Sequence, residues 1–363
     1  MTDYLAPVLY ALFIWWFSTG LIVYLDGLPR RTFRISMAAA TLLLVLALWG
    51  GAASADDVSR AGAWCGFTVG LLAWGWIELS FLTGWITGPW KQPCPADATG
   101  LRRARYALAA ILWHELAIIV MAVLLAFVTL DRGNATAFWT FAILWAMRTS
   151  AKLNVFLGVR NLAEEFLPPH LKYLESFFTR RPMNLLLPLS VTGGTVAATL
   201  LFLAGSAADA TSFVATSTTL LGTLLALAVL EHWLLVLPLP ATALWKWSLA
   251  ARMAREEAAA PEPGITRFAA DLETPCDRQN LASVLQDVAR GAYGDGARMH
   301  GIARAGHGWV CFFVADGRSS LAEFSPAAHQ TPRVVALGRG LDQAGLSAAF
   351  AACMQPPVTG APA

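Results

Sequence analysis

The stretch 104–130 reads ARYALAAILWHELAIIVMAVLLAFVTL. About 20 apolar residues suffice to cross the hydrocarbon core of a bilayer, and this run exceeds that length. Yet His114 and Glu115 sit at its centre. A charge there costs about 2.5–3.5 kcal/mol on insertion scales, so each such residue needs a partner or a purpose. This stretch poses both questions the chain raises: how it crosses a membrane, and why it carries ionisable groups inside.

Six further apolar runs flank it, at 4–25, 36–54, 61–87, 137–158, 184–205 and 212–237. The chain is 56% hydrophobic and 14% charged over 363 residues, a balance that excludes a disordered chain and is unusual for a soluble globule. The expected fold is an α-helical integral membrane bundle of seven transmembrane helices over 1–250. Residues 1–3 offer no basic region of the kind that precedes a cleavable signal, and the first run is long enough to span.

Basic residues sort by loop. Fourteen lie in the 26–35, 88–105 and 159–183 connections and just after the seventh run. The alternate loops hold only Arg60 and Arg132. The positive-inside bias then places the fourteen on the cytoplasmic side, with the N-terminus outside and the C-terminus inside. An odd number of spans requires the same arrangement. A multi-pass protein of a bacterial inner membrane, cytoplasmic or intracytoplasmic, is expected. Cys65, Cys94, Cys276, Cys311 and Cys353 form no C-x-x-C pair, and the last four fall in segments placed on the reducing side. They read as free thiols.

Between the spans, Gly62, Gly66 and Gly70 recur at four-residue spacing, a stripe that lets helix backbones approach closely. Residues 169–181 follow Pro168 and carry Leu171, Leu174 and Phe178 at helical spacing. They read as an amphipathic helix in the cytoplasmic interface, covering the bundle mouth or docking a partner. Glu164, Glu165, His170, Arg180 and Arg181 are the docking candidates. Residues 251–265, with Pro261 and Pro263, read as a linker, and 266–363 as a small soluble α+β domain. In it 277–290 and 341–353 read as helices. Residues 308–314 and 319–324 read as strands joined at Asp316-Gly317, with His300 and His307 before the first strand as surface histidines.

The intramembrane polar cluster comprises Glu78, His114, Glu115, Arg148, Lys152, Glu231 and His232. Counted from the span ends at about 1.5 Å per residue, all seven fall in one layer between the midplane and the cytoplasmic face. Arg148 and Lys152 share a helix face. His114 and Glu115 point about 100° apart, as do Glu231 and His232, so each pair reaches two different neighbours. One reading is an ion-pair network that specifies helix pairing. A second is a metal site, with Glu78, His114, Glu115, Glu231 and His232 as iron ligands or the two histidines as axial ligands to a tetrapyrrole. Against it, no Glu-x-x-His pair occurs on these helices, and Arg148 and Lys152 would repel a cation. The third is a proton or solute path, although no internal repeat is evident. Nucleotide, hydrolase and zincin motifs are absent from the sequence. No catalytic residue is singled out, and the cytoplasmic arginines follow from topology rather than from a nucleic-acid partner.

Several stretches carry a resemblance. Phe13-Ile-Trp-Trp-Phe-Ser-Thr-Gly20, Tyr24-Leu-Asp-Gly-Leu-Pro-Arg-Arg-Thr-Phe-Arg34 and Trp76-Ile-Glu-Leu-Ser-Phe-Leu-Thr-Gly84 are three of them. Trp113-His-Glu-Leu-Ala117, Leu144-Trp-Ala-Met-Arg-Thr-Ser-Ala-Lys-Leu-Asn-Val-Phe-Leu-Gly158, Arg160-Asn-Leu-Ala-Glu-Glu-Phe-Leu-Pro168 and Arg180-Arg-Pro-Met-Asn-Leu185 complete the set. Over about residues 1–250 the chain resembles the PuhE family of photosynthetic complex assembly proteins. The resemblance implies a membrane protein of anoxygenic phototrophs that supports formation of the reaction-centre and light-harvesting apparatus, or modulates bacteriochlorophyll supply. Reaction-centre or antenna subunits and the lipid bilayer are then the implied partners. A membrane metalloenzyme using iron and acting on a pigment or lipid precursor is the alternative. The sequence requires no cofactor, and bacteriochlorophyll and iron are both compatible with it. The segment after about 265 departs from the family pattern.

Overall fold

The computed structural model describes residues 2–162, 164–237, 245, 248, 265–272, 274–305, 308–315, 317–324 and 331–354. The chain divides into two compact units, Met1–Glu257 and Ala258–Ala363. The 251–264 part of the expected linker, His307 and Asp316 lie outside the described residues.

The first unit is a helical bundle. Its long helices are α1 (Thr2–Asp26), α2 (Phe33–Ala53), α3 (Arg60–Leu82), α4 (Gly100–Thr129), α5 (Thr136–Leu157), α6 (Leu186–Gly205) and α7 (Ser212–Leu234). Ser59 caps α3 by accepting from the Gly62 amide at 3.2 Å, and Thr211 caps α7 in the same way from Val214. Gly158, at φ +127°, ends α5 in a conformation that favours glycine. All seven expected runs are helical. Six are long and apolar enough to cross a membrane, and α5 is the exception. It has the length, but Arg148, Ser150, Lys152 and Asn154 dilute its apolar character.

α3 and α7 form the inside of the bundle. Phe67, Ala73 and Ile77 of α3 and Leu220 and Leu224 of α7 are almost fully buried. The glycine stripe faces within the molecule. A Cβ on Gly70 would lie 2.6 Å from the Ala137 carbonyl, and one on Gly66 would lie 2.9 Å from Thr136 Cβ, so α3 and α5 touch backbone to backbone. The outward faces are apolar. Leu42, Val45 and Trp49 on α2, Val123 and Phe127 on α4, and Leu189 and Leu200 on α6 are exposed, as lipid-facing positions should be.

α3 stops at Leu82, short of the expected 87. Gly84 takes φ +80°, and the Trp85 and Ile86 amides close back on the Ser80 carbonyl. The chain then runs along the flank of α4. The Trp90 amide donates to the Ala109 carbonyl at 3.3 Å, and the His114 amide donates to the Thr87 carbonyl at 2.9 Å. Only glycine fits at position 88, where a Cβ would lie 2.1 Å from the Ala109 oxygen. The helix expected over 169–181 is shorter and tighter, a 3-10 helix Pro169–Phe177, after which Val159 and Arg180 form a parallel bridge. Leu171, Leu174 and Phe177 pack on Phe81, Leu82 and Ala110.

The second unit is a five-stranded antiparallel sheet of β1 (Ile265–Asp271), β2 (Asp295–Ala305), β3 (Gly308–Ala315), β4 (Arg318–Phe324) and β5 (Arg333–Arg339), in the order β1-β5-β2-β3-β4. Two helices, α8 (Arg278–Ala289) and α9 (Gln343–Cys353), complete it, capped by the Asp277 and Asp342 side chains. Its core joins Phe268, Leu281, Leu285, Met299, Phe312, Val334, Leu346 and Phe350. Both helices, β3 and β4 stand where the sequence reading put them. β1, β2 and β5 were not expected, because alanine and glycine interrupt their apolar alternation. His300 therefore does not precede the sheet but sits within β2, paired with Phe313 and Val335.

Candidate functional site

α5 supplies the two bases that pair with acids of neighbouring helices. Its Arg148 lies 3.3 Å from Glu78 of α3, and its Lys152 lies 2.6 Å from Glu115 of α4. The spacing of four that put both bases on one helix face thus delivers them to two different neighbours. Glu231 of α7 accepts from the Trp15 indole of α1 at 2.6 Å. An acid on an outward face is otherwise expensive in lipid, and the indole N–H is its bonded partner.

His232 is buried and turns inward. Its Nδ1 lies 2.8 Å from the Ala228 carbonyl, which only accepts, so Nδ1 carries the proton. Nε2 lies 2.9 Å from the Ser150 hydroxyl. The polar chain continues from there. Ser190 is 2.8 Å from Ser150, Asn154 donates to the Ser150 carbonyl at 2.9 Å, and Asn184 donates to Asn154 Oδ1 at 3.0 Å. A line of hydrogen-bonding side chains therefore joins α7 to the loop that precedes α6.

His114 turns the other way from Glu115. Its ring lies 4.4 Å from that of Phe81, and its Nδ1 is buried without a hydrogen-bond partner. One oxygen of Glu78, Oε1, is buried in the same state. The two side chains are close enough to interact electrostatically. The expected divergence of neighbours is realised: His114 and Glu115, like Glu231 and His232, serve separate contacts. Among the described residues no three His, Cys, Asp or Glu side chains converge as a metal site needs.

Of the docking candidates, Arg180, Glu164, His170 and Arg181 brace the 158–184 loop. Arg180 pairs with Glu164 at 2.8 Å, and the His170 Nε2 donates to the Leu82 carbonyl at 2.8 Å. The Arg181 stem lies across Gly158, where a Cβ would come within 2.7 Å of its Cδ, and its amide bonds the Val159 carbonyl. Glu165 lies in a short 3-10 turn, Glu164–Phe166. Sequence reasoning missed Trp15, Arg103, Ser150, Asn154, Asn161 and Asn184. Arg103 donates to the Phe177 carbonyl at 2.6 Å and stacks on Phe156, while Asn161 donates to the Leu234 and Leu237 carbonyls. Asparagines near span ends were the available signal, since a buried amide requires partners.

Six helices with a lipid-exposed apolar exterior and ion pairs inside define a multi-pass helical membrane protein. Residues 1–256 match the family described as "Protein of unknown function (DUF3623)", and the chain belongs to that family. A relative in Rhodobacter capsulatus, described as an uncharacterized 30.4 kDa protein in the puhA 5' region, is 39% identical over 258 residues, covering 70% of this chain and 94% of the relative. Residues 265–354 match a different model, the cobalamin synthesis protein cobW C-terminal domain. The match begins where β1 begins and ends one residue past α9. No solved structure matches the chain.

Proposed function

We propose that this protein is a membrane-integral assembly factor for the photosynthetic apparatus of an anoxygenic phototroph, or a modulator of its bacteriochlorophyll supply. The observation that carries the reading is the relative described by its place beside puhA. The PuhE-like stretches 144–158 and 160–168 support it, because they hold Arg148, Lys152 and Asn154, the residues that organise the bundle. In this reading α5 is a seventh span, whose charged residues are accommodated by pairing with α3 and α4. Seven spans, with the basic loops inside, put both the 158–184 loop and the sheet unit on the cytoplasmic side of the inner membrane. The braced loop is then the docking surface for nascent reaction-centre or antenna subunits. The polar layer holds helix pairing rather than catalysing a reaction.

The deciding experiment is a near-infrared absorption spectrum of membranes from a strain lacking the gene, beside parent and complemented strains. Reduced antenna and reaction-centre bands are expected, and pigment extraction then separates failed assembly from failed synthesis. Bands unchanged in intensity and ratio would overturn the reading. A cysteine-accessibility map of the loops tests the seven-span arrangement separately.

A further inference from the structure

The sheet of the second unit has two unlike faces. α8 and α9 cover one, where Met299, Phe312 and Val334 meet Leu281, Leu285 and Phe350. The strand pairings place Arg298, His300, Ile302 and Arg304 of β2 on the other. Alongside them stand Trp309, Cys311 and Phe313 of β3, Arg333 and Arg339 of β5, and Arg267 of β1.

Charge is sorted between the faces. Asp277 and Asp342 cap the two helices, Asp287 lies in α8, and Glu323 pairs with Arg278 of α8. Among the described residues the acids on the open face are Asp271, 3.7 Å from Arg333, and Asp295, opposite Arg339 in the register. Arg298, Arg304 and Arg339 are exposed and form no ion pair among the described residues. Arg298 and Arg304 stand about 20 Å apart on one strand, with His300 and Ile302 between them on the same face. Phe313 is 51% exposed beside it, and Arg304 lies over the Trp309 ring at 5.2 Å.

Exposed arginines beside the exposed Phe313 ring and the half-buried Trp309 match the chemistry of an anionic bilayer surface. Guanidinium groups pair with lipid phosphates, and aromatic rings favour the headgroup zone. This unit is covalently continuous with the membrane-spanning one, which keeps its effective concentration at the lipid surface high. We propose that the open sheet face docks on anionic lipid headgroups, with Arg298, Arg304 and Arg339 as the phosphate contacts and Phe313 entering the interface. The inference rests on the membrane reading of the first unit.

The test uses the full chain reconstituted in nanodiscs of phosphatidylcholine, with or without phosphatidylglycerol. Phe313→p-benzoylphenylalanine is irradiated and lipid adducts are counted by mass. A second probe at the exposed Gln286 of α8 reports the covered side. Lipid adducts at position 313 that require phosphatidylglycerol, and that fall at least ~10-fold in R298Q/R304Q/R339Q or at high salt, are expected. Equal adducts at 286 and 313, indifference to lipid charge, or cross-links to polypeptide in place of lipid would overturn the docking. A melting curve of the triple variant matching wild type shows that the sheet still folds. Chain that never enters the discs counts against the membrane reading, not against the docking.

Discussion

Glu115 and Glu323 make nearly the same bond. Glu115 lies 2.6 Å from Lys152 in the bundle, and Glu323 lies 2.7 Å from Arg278 on the sheet unit. Their surroundings differ. The Lys152–Glu115 side chains are 25% and 20% exposed, among apolar helices, whereas those of Arg278–Glu323 are 48% and 75% exposed. In the bundle, losing one partner strands a charge in a low-dielectric setting. On the sheet unit, water replaces the lost partner. Bond length therefore says little about the energetic role of an ion pair, and the medium around it decides.

The largest effect should come from Lys152→Met, which leaves Glu115 uncompensated at a cost of about 3–5 kcal/mol. Thermal unfolding of the purified full chain in detergent measures it. Adding Glu115→Met should restore much of the loss, and a double variant no better than the single would break the comparison. Gly70→Leu should come next. Its side chain would be driven into the Ala137 carbonyl and Thr140, costing about 1–3 kcal/mol and loosening α3 from α5. Arg278→Ala should cost at most about 1 kcal/mol, with the remaining loss screened by salt. If it proved as damaging as Lys152→Met, the contrast in media would be wrong.

The smallest effect is chemical. Burial pushes the Cys276 thiol up to about 11 from an ordinary 9. The folded unit keeps this proton while the unfolded chain loses it, so the contribution is complete below pH 9 and disappears as pH rises toward 11. At pH 8 iodoacetamide should therefore modify the half-buried Cys311 well before Cys276. Equal rates would show that the sheet unit opens readily.

Much of the bundle was legible from hydrophobic length alone, because lipid forces backbone groups to bond within their own segment. The helix ends were less so. That α3 stops at Leu82 depends on Gly84 and on the fit of Gly88 against α4, a tertiary contact with no local signature. The 169–181 segment showed helical spacing, yet packing on Phe81 and Ala110 selects a 3-10 turn. The ionisable residues themselves stand out in the apolar runs of the sequence. Their pairing was not legible, because which neighbour Arg148 or His232 reaches depends on how helices rotate against each other. Ser150 and Asn154 escaped notice because neither is costly enough in an apolar helix to attract attention. In the sheet unit β2 escaped because Gly301, Ala303 and Ala305 blur the alternation.

The return segment beside α4 also bears on the order of assembly. An amide has one proton, so the bond from His114 to the Thr87 carbonyl competes with the ordinary helical bond to Ala110. α4 is thus completed by residues outside itself. Those residues precede it in the chain and are therefore synthesised first. A chain break placed between Thr87 and Gly100 should therefore weaken the middle turn of α4, which is bonded to Thr87.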